Sequence, residues 1–291
     1  MVTKYDYNPE EVEACYSALV ELMTTLGEYR KNSVIIGGWV PYFLCPEHHK
    51  EHTGSLDIDL ALDFSRIGET EYETIRRAIE KRGWNEGKQP FMYEKNFLLP
   101  SGREVTVEID FLAGEYGGEG KSHRHQDVQD IKARKVRGSD LVFAAPEDIT
   151  IEGTLPEGGR NKVIVRIASI VPFLVTKGMA VWSRYKKKDA YDIHFCLQYY
   201  PGGIDAIAEL AKKHLKNRLV QEGLAKIRSK FTSIDDAGPV WAANFEVPQE
   251  DRQDNPEAQE KWEITRRDAF ERVDRLMNSL NIEPYKDTRA N

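Results

Sequence analysis

Ser55-Leu-Asp57-Ile-Asp59-Leu-Ala-Leu62 sets two carboxylates one residue apart between apolar neighbours. On a β-strand alternate side chains share a face, so Asp57 and Asp59 project together while the apolar residues between them face a core. Two adjacent carboxylates repel, and a divalent cation with a preference for hard oxygen ligands relieves that repulsion. Metal-assisted chemistry is the expectation that follows. Upstream, the short β-branched run Ser33-Val-Ile-Ile36 stops at Gly37-Gly38, and Trp39 to Leu44 read as a brief helix, so the glycines occupy a strand-to-helix turn. Downstream, Val107-Glu-Ile-Asp110-Phe-Leu112 carries a third carboxylate between apolar residues.

The segments around this block alternate between helix and strand. Asn8-Pro9-Glu10-Glu11 supplies a cap, a first-turn proline and acids for an amphipathic helix over 9–29. Glu69 to Arg82 read as a second helix, and Phe91 to Leu99 with Glu104 to Leu112 as a hairpin turning at Pro100-Ser-Gly102. Ala113 to Asp130 is polar and glycine-rich and reads as an exposed loop. Alternating segments follow at Leu141 to Ala144, Ile149 to Ile151 and Val163 to Ile167, after which helical patterning takes over. Ile204 to His214, Arg218 to Lys230 and Pro256 to Leu280 read as helices, with 248–256 an exposed linker. The expected class is α+β: a mixed sheet with flanking helices over 1–167, then a mainly helical region over 168–291.

At 291 residues, 40% hydrophobic and 31% charged, the chain can bury a sizeable core and fits two domains better than one. No stretch approaches the roughly 20 apolar residues of a spanning helix, and the start lacks the apolar run of a secretory signal. No membrane partner is expected, and the cytoplasm is the expected location. Three scattered cysteines, Cys15, Cys45 and Cys196, imply no disulfide framework. A net charge of −7 argues against indiscriminate nucleic-acid binding but leaves room for a local basic groove.

The glycine pair has a mechanical role if it lies beside the carboxylates. Glycine lets backbone approach a ligand, and the next helix offers free N–H groups and a positive dipole end to phosphate. Alone, the pair equally fits a plain tight turn. The ordered combination of apolar strand, Gly-Gly, Asp-x-Asp and a later third Asp resembles the polymerase-beta-like nucleotidyltransferase superfamily. That resemblance implies two Mg2+ ions, with Mn2+ as a substitute, held by Asp57, Asp59 and Asp110 about 3.5–4 Å apart around a bound NTP. Asp110 is also a candidate general base.

A second block, Lys177-Gly-Met-Ala-Val-Trp-Ser-Arg184-Tyr-Lys-Lys-Lys188-Asp189-Ala-Tyr-Asp192, looks like the downstream motif of the abortive-infection toxin nucleotidyltransferases of AbiEii/AbiGii type. Ser55 fits the Ser or Thr found two before the first acid in that family, whereas Gly37-Gly38 stands where Gly-Ser is common. The resemblance implies transfer of an NMP to a hydroxyl, possible in relatives at the 3′ end of tRNA, within a toxin–antitoxin or phage-defence pair with an antitoxin partner. Nucleotide-binding residues by this reading are Gly37, Gly38, Ser55, Lys177, Arg184, Lys188, Asp189 and Asp192, with Lys177 also catalytic. Lys177 and Arg184, seven apart on a helical face, are expected to reach triphosphate oxygens, while Lys188, Asp189 and Asp192 orient them or touch the acceptor. The competing reading of the block is a solvated charge run.

Two different functions fit the same acids: a kinase-like phosphotransferase, and a non-catalytic protein that binds a nucleotide or a partner. Cys45, His48, His49 and His52 have zinc-like residue types at a spacing that matches no usual ligand set. Lys121 to Arg137 contains a basic stretch that either guides a nucleic-acid acceptor or forms a loop and edge strand. Trp182, Tyr185, Tyr191 and Phe195 either stack on a base or fill a core.

Overall fold

The computed structural model describes residues 2–63, 66, 69–89, 91–114, 125–128 and 131–286. In chain order the elements are α1 (Pro9–Thr25), β1 (Ser33–Ile36), α2 (Val40–Leu44), β2 (Asp57–Leu62), α3 (Glu69–Glu80), β3 (Asn85–Glu86), β4 (Met92–Leu98), β5 (Glu104–Gly114), β6 (His125–Val128), β7 (Ile131–Val136), β8 (Glu147–Thr154) and β9 (Arg160–Ile167). Seven helices follow: α4 (Ile170–Ser183), α5 (Lys187–Tyr199), α6 (Gly203–Lys212), α7 (Arg218–Arg228), α8 (Ala237–Glu246), α9 (Gln249–Arg252) and α10 (Pro256–Ser279). The α+β class expected from the sequence is the class observed. Two compact units divide the chain, one of residues 7–40 and 53–169, the other of residues 1–6, 41–52 and 170–291.

The first unit is built on a mixed sheet of order β3-β4-β5-β2-β1-β9-β8, with β7 joining β5 and β6 joining β7. β2 lies at its centre, antiparallel to β1 and parallel to β5. Alternation works as the sequence reading requires: Ile58, Leu60, Val107, Ile109 and Phe111 are fully buried, whereas Asp57, Asp59 and Asp110 are half-buried on the opposite face. α1 covers the apolar face with Cys15, Ala18, Leu19, Leu22 and Met23, and its Glu21 takes an ion pair from Lys95 of β4 at 2.9 Å. Asn8 caps α1, accepting from Glu10 N at 2.9 Å, with Pro9 in the first turn.

Three expectations differ from the structure. Leu141 to Ala144 are not a strand: Gly138, at φ +90°, turns the chain into a 3-10 helix over Ser139–Phe143. Within 113–130, Ala113 and Gly114 extend β5 and His125–Val128 form β6; the rest of the expected loop lies outside the described residues. The linker at 248–256 contains the single turn α9.

The second unit is helical. α4 and α7 approach through glycines, since a Cβ on Gly178 would lie 2.1 Å from the Gly223 carbonyl oxygen. α8, which the sequence pattern did not announce, packs Phe245 against Tyr191 of α5, and its Asn244 accepts from the Trp262 indole of α10 at 2.9 Å. His194 of α5 is tied to Asp268 of α10 at 2.7 Å.

Candidate active site

Strand register brings the predicted acids together. Asp59 and Asp110 are direct partners in the parallel β2–β5 ladder, and Asp57 is partnered by Glu108. Neighbouring strands lie about 4.8 Å apart, so these side chains leave one face side by side. The next strand adds another acid, because Glu94 of β4 is the partner of Glu108. Glu94 and Glu108 escaped the sequence reading. Their period-2 spacing was visible, but the register that aligns them with Asp57 was not. Ser55 Oγ donates to Asp57 Oδ1 at 2.5 Å, which fixes one rotamer of the first acid.

Gly37 follows β1, whose last residue Ile36 pairs with Asp59. It adopts φ +72°, and a Cβ built there would fall 1.8 Å from Asp59 Oδ2. The Asp59 carboxylate therefore occupies the space of a missing side chain, and only glycine permits both the backbone angle and the close approach. Gly38 is buried in the 3-10 turn that leads into α2. With five residues α2 is too short for an appreciable dipole, so any anion contact here would rest on turn N–H groups.

The donor set suits hard divalent ions: carboxylate oxygens, on adjacent strands, on one face. As the side chains stand, no three His, Cys, Asp or Glu groups among the described residues converge on a single metal position.

A second constellation lies wholly within the helical unit. Lys177 of α4 donates to Asp189 Oδ1 at 2.9 Å and to Asp192 Oδ2 at 2.6 Å. Arg184, just past the end of α4, forks onto Asp189 with Nε–Oδ2 2.8 Å and Nη2–Oδ1 3.1 Å. Lys188 donates to Asp192 Oδ1 at 2.8 Å, and His52 Nε2 meets the same oxygen at 3.0 Å. Lys177, Lys188, Asp189, Asp192 and His52 are buried, while the Arg184 side chain is 47% exposed. The block is thus a buried ion network with one exposed cation, not a solvated charge run.

Its electrostatics follow from burial and pairing. Burial opposes charge on Lys177, yet Asp189 and Asp192 hold its ammonium above the usual lysine value. Burial likewise opposes charge on the two carboxylates, but Lys177, with Arg184 at Asp189 and Lys188 at Asp192, keeps both below the usual range. Burial pushes Lys188 down, against the pull of Asp192. His52 is pushed down to about 4, first by burial and then by Lys188, so its ring is neutral near pH 7.

The zinc-like residues scatter. Cys45 is a buried free thiol, His48 pairs with Glu51 at 2.8 Å, His49 Nδ1 meets the Pro46 carbonyl, and His52 is committed to Asp192. Of the basic stretch, Lys121 to Arg124 lie outside the described residues, and Lys132 to Lys135 belong to β7. Tyr191 and Phe195 are core residues, whereas Tyr185 is exposed beside Trp241.

A family model described as "Nucleotidyl transferase AbiEii toxin, Type IV TA system" matches residues 49–279, well over half of the chain. The matched span contains Ser55, the three strand aspartates and the whole Lys177–Asp192 block; the Gly37-Gly38 turn precedes it. No curated protein and no solved structure matches the chain.

Proposed function

The chain belongs to the AbiEii nucleotidyl transferase toxin family of type IV toxin–antitoxin systems, and from that premise we propose that it transfers an NMP from an NTP to a hydroxyl acceptor. The observation that supports this most is the register that pairs Asp59 with Asp110 beside the Gly37 turn. In this reading Asp57, Asp59 and Asp110 would hold two Mg2+ ions. Once bound, such ions offset the triphosphate charge and stabilise both the attacking and the leaving oxygens of an in-line displacement.

The chain's own residues do the rest. Asp110 accepts the proton of the incoming hydroxyl, whose oxygen forms a bond to the α-phosphorus as the bond to the bridging β-phosphate oxygen breaks and pyrophosphate departs. Gly37 and Gly38 present turn backbone to the triphosphate, and Ser55 keeps Asp57 oriented. Arg184, anchored by Asp189 yet exposed, offers a planar guanidinium to phosphate oxygens. In this reading Lys177 gives two of its three N–H donors to Asp189 and Asp192 and keeps the third for triphosphate oxygens. The 3′ end of tRNA as acceptor, ATP among the donors, a cognate antitoxin and a cytoplasmic location belong to the same proposal and rest on the family alone. None of the described helices is long and apolar enough to cross a membrane.

Incubation of the full chain with total RNA and protein, Mg2+, and each NTP labelled at the α or the γ position tests the reading. Label delivered from the α position, with pyrophosphate released, is the expected result. Delivery from γ alone would establish a phosphotransferase, and transfer undiminished by Asp57→Asn would remove the acids from the chemistry.

A further inference from the structure

Asp192 accepts three hydrogen bonds although it is completely enclosed: Lys177 on Oδ2, Lys188 and His52 on Oδ1. The two lysines come from the block that the sequence marks as functional. His52 comes from 140 residues earlier in the chain. It reaches Asp192 edge-on, with its ring stacked on Tyr191 at a 17° interplanar angle and 5.5 Å between centroids, and against Phe195 at 4.8 Å. Packing on two aromatic rings fixes the plane of the imidazole, and within that plane the ring is turned so that Nε2 meets the carboxylate.

The charge count explains why this third donor is an imidazole. Lys177, Lys188 and Arg184 already supply as many positive charges as two aspartates can compensate and one more. A further cation in this enclosed volume would be repelled by Lys188 and Lys177. A neutral imidazole adds a donor without adding charge. Because it faces a carboxylate, Nε2 must carry the proton and Nδ1 must not.

We infer that His52 is a positioning residue for nucleotidyl transfer: its Nε2–H fixes the Asp192 carboxylate that in turn holds the Lys177 and Lys188 ammonium groups. The inference rests on the proposed reaction and on the place of Lys177 in it. Without His52, Oδ1 answers to Lys188 alone, the carboxylate is held less tightly about its χ2 bond, and of the two acceptors that aim Lys177 only Asp189 keeps all its own anchors. Packing alone does not require this residue, since leucine would fill a similar volume between Tyr191 and Phe195. The groups facing the ring that bear on its titration are Asp192 and Lys188 on α5 and Lys177 on α4.

The test compares His52→Leu, which keeps the volume and removes the donor, with His52→Gln, which returns an N–H near the Nε2 position. The full-length proteins are first matched for helix content by circular dichroism. His52→Leu is expected to lower kcat for pyrophosphate release about tenfold or more and to move the acid limb of the kcat profile upward, because Asp192 has lost a donor. His52→Gln is expected to restore kcat to within about threefold of wild type, with the original acid limb. Equal kcat and an unchanged acid limb in both variants would overturn the inference, as would equal damage in both. A nitrogen-15 spectrum of the His52 ring in the wild-type protein separates this failure from that of the reaction itself. Should no NTP be turned over by any of the three proteins, the nucleotidyl-transfer proposal falls, and the spectrum decides the contact: a neutral Nε2-protonated ring whose signal shifts in Asp192→Asn upholds it, and an Nδ1-protonated or doubly protonated ring at neutral pH refutes it.

Discussion

At Gly37 the absent side chain is what matters. The Asp59 carboxylate sits where a Cβ would be, at a backbone angle that L side chains avoid. Gly37→Ala is expected to cost roughly 1–3 kcal/mol through backbone strain and to displace Asp59, lowering transfer about a hundredfold. Thermal unfolding and α-label transfer on the same preparation check this, and retained transfer would show that Asp59 tolerates the shift. The sequence made the two strand aspartates legible because alternation is a local property. It could not reveal that Gly37 and Asp59 touch, which depends on how Ile36 pairs across the β1–β2 ladder. In the sequence His52 reads only as a zinc-like residue, since its partner lies on a helix far along the chain.

Elements were legible wherever caps and periodicity agreed, as at α1 with Asn8 and Pro9; at α10 the periodicity from Pro256 sufficed, and the Asn255 cap is a finding of the structure. They were not legible where tertiary context decides. Ser139–Phe143 carries an apolar pattern short enough to suit either a strand or a 3-10 turn, and Gly138 selects the turn. α4 and α7 touch backbone to backbone at Gly178 and Gly223, a closeness that the mostly apolar sequence of α4 conceals. Gly178→Leu is expected to force these helices apart at a cost of about 1–3 kcal/mol, lowering Tm by several degrees. An unchanged Tm would mean that the α4–α7 packing yields readily.

Across the whole molecule, the α+β class and the succession of sheet and helices followed from the sequence, whereas the grouping of residues 41–52 with the helical unit did not, because it depends on contacts such as His52 with Asp192. Burial of His52, with Lys188 beside it, links pH to stability. An unfolded histidine titrates near pH 6.5, and the folded His52 near 4, so between these values the unfolded chain binds the extra proton. Stability is therefore fully present above about pH 6.5 and falls as pH drops toward 4, by up to about 1.4 kcal/mol per pH unit. Asp189 and Asp192, held low, add a further loss once pH falls below the ordinary aspartate value. Denaturant unfolding of wild type and His52→Gln across pH 4–7 is expected to show a shallower decline in the variant; parallel curves would assign the acid sensitivity elsewhere.

The proposed chemistry stands on the acids of β2 and β5. Electron paramagnetic resonance of Mn2+ titrated into the full chain, with a non-hydrolysable NTP analogue present, reads it without relying on turnover. About two tightly held ions per chain are expected in the wild type, and their loss in Asp59→Asn. The same number of ions in both proteins would contradict it.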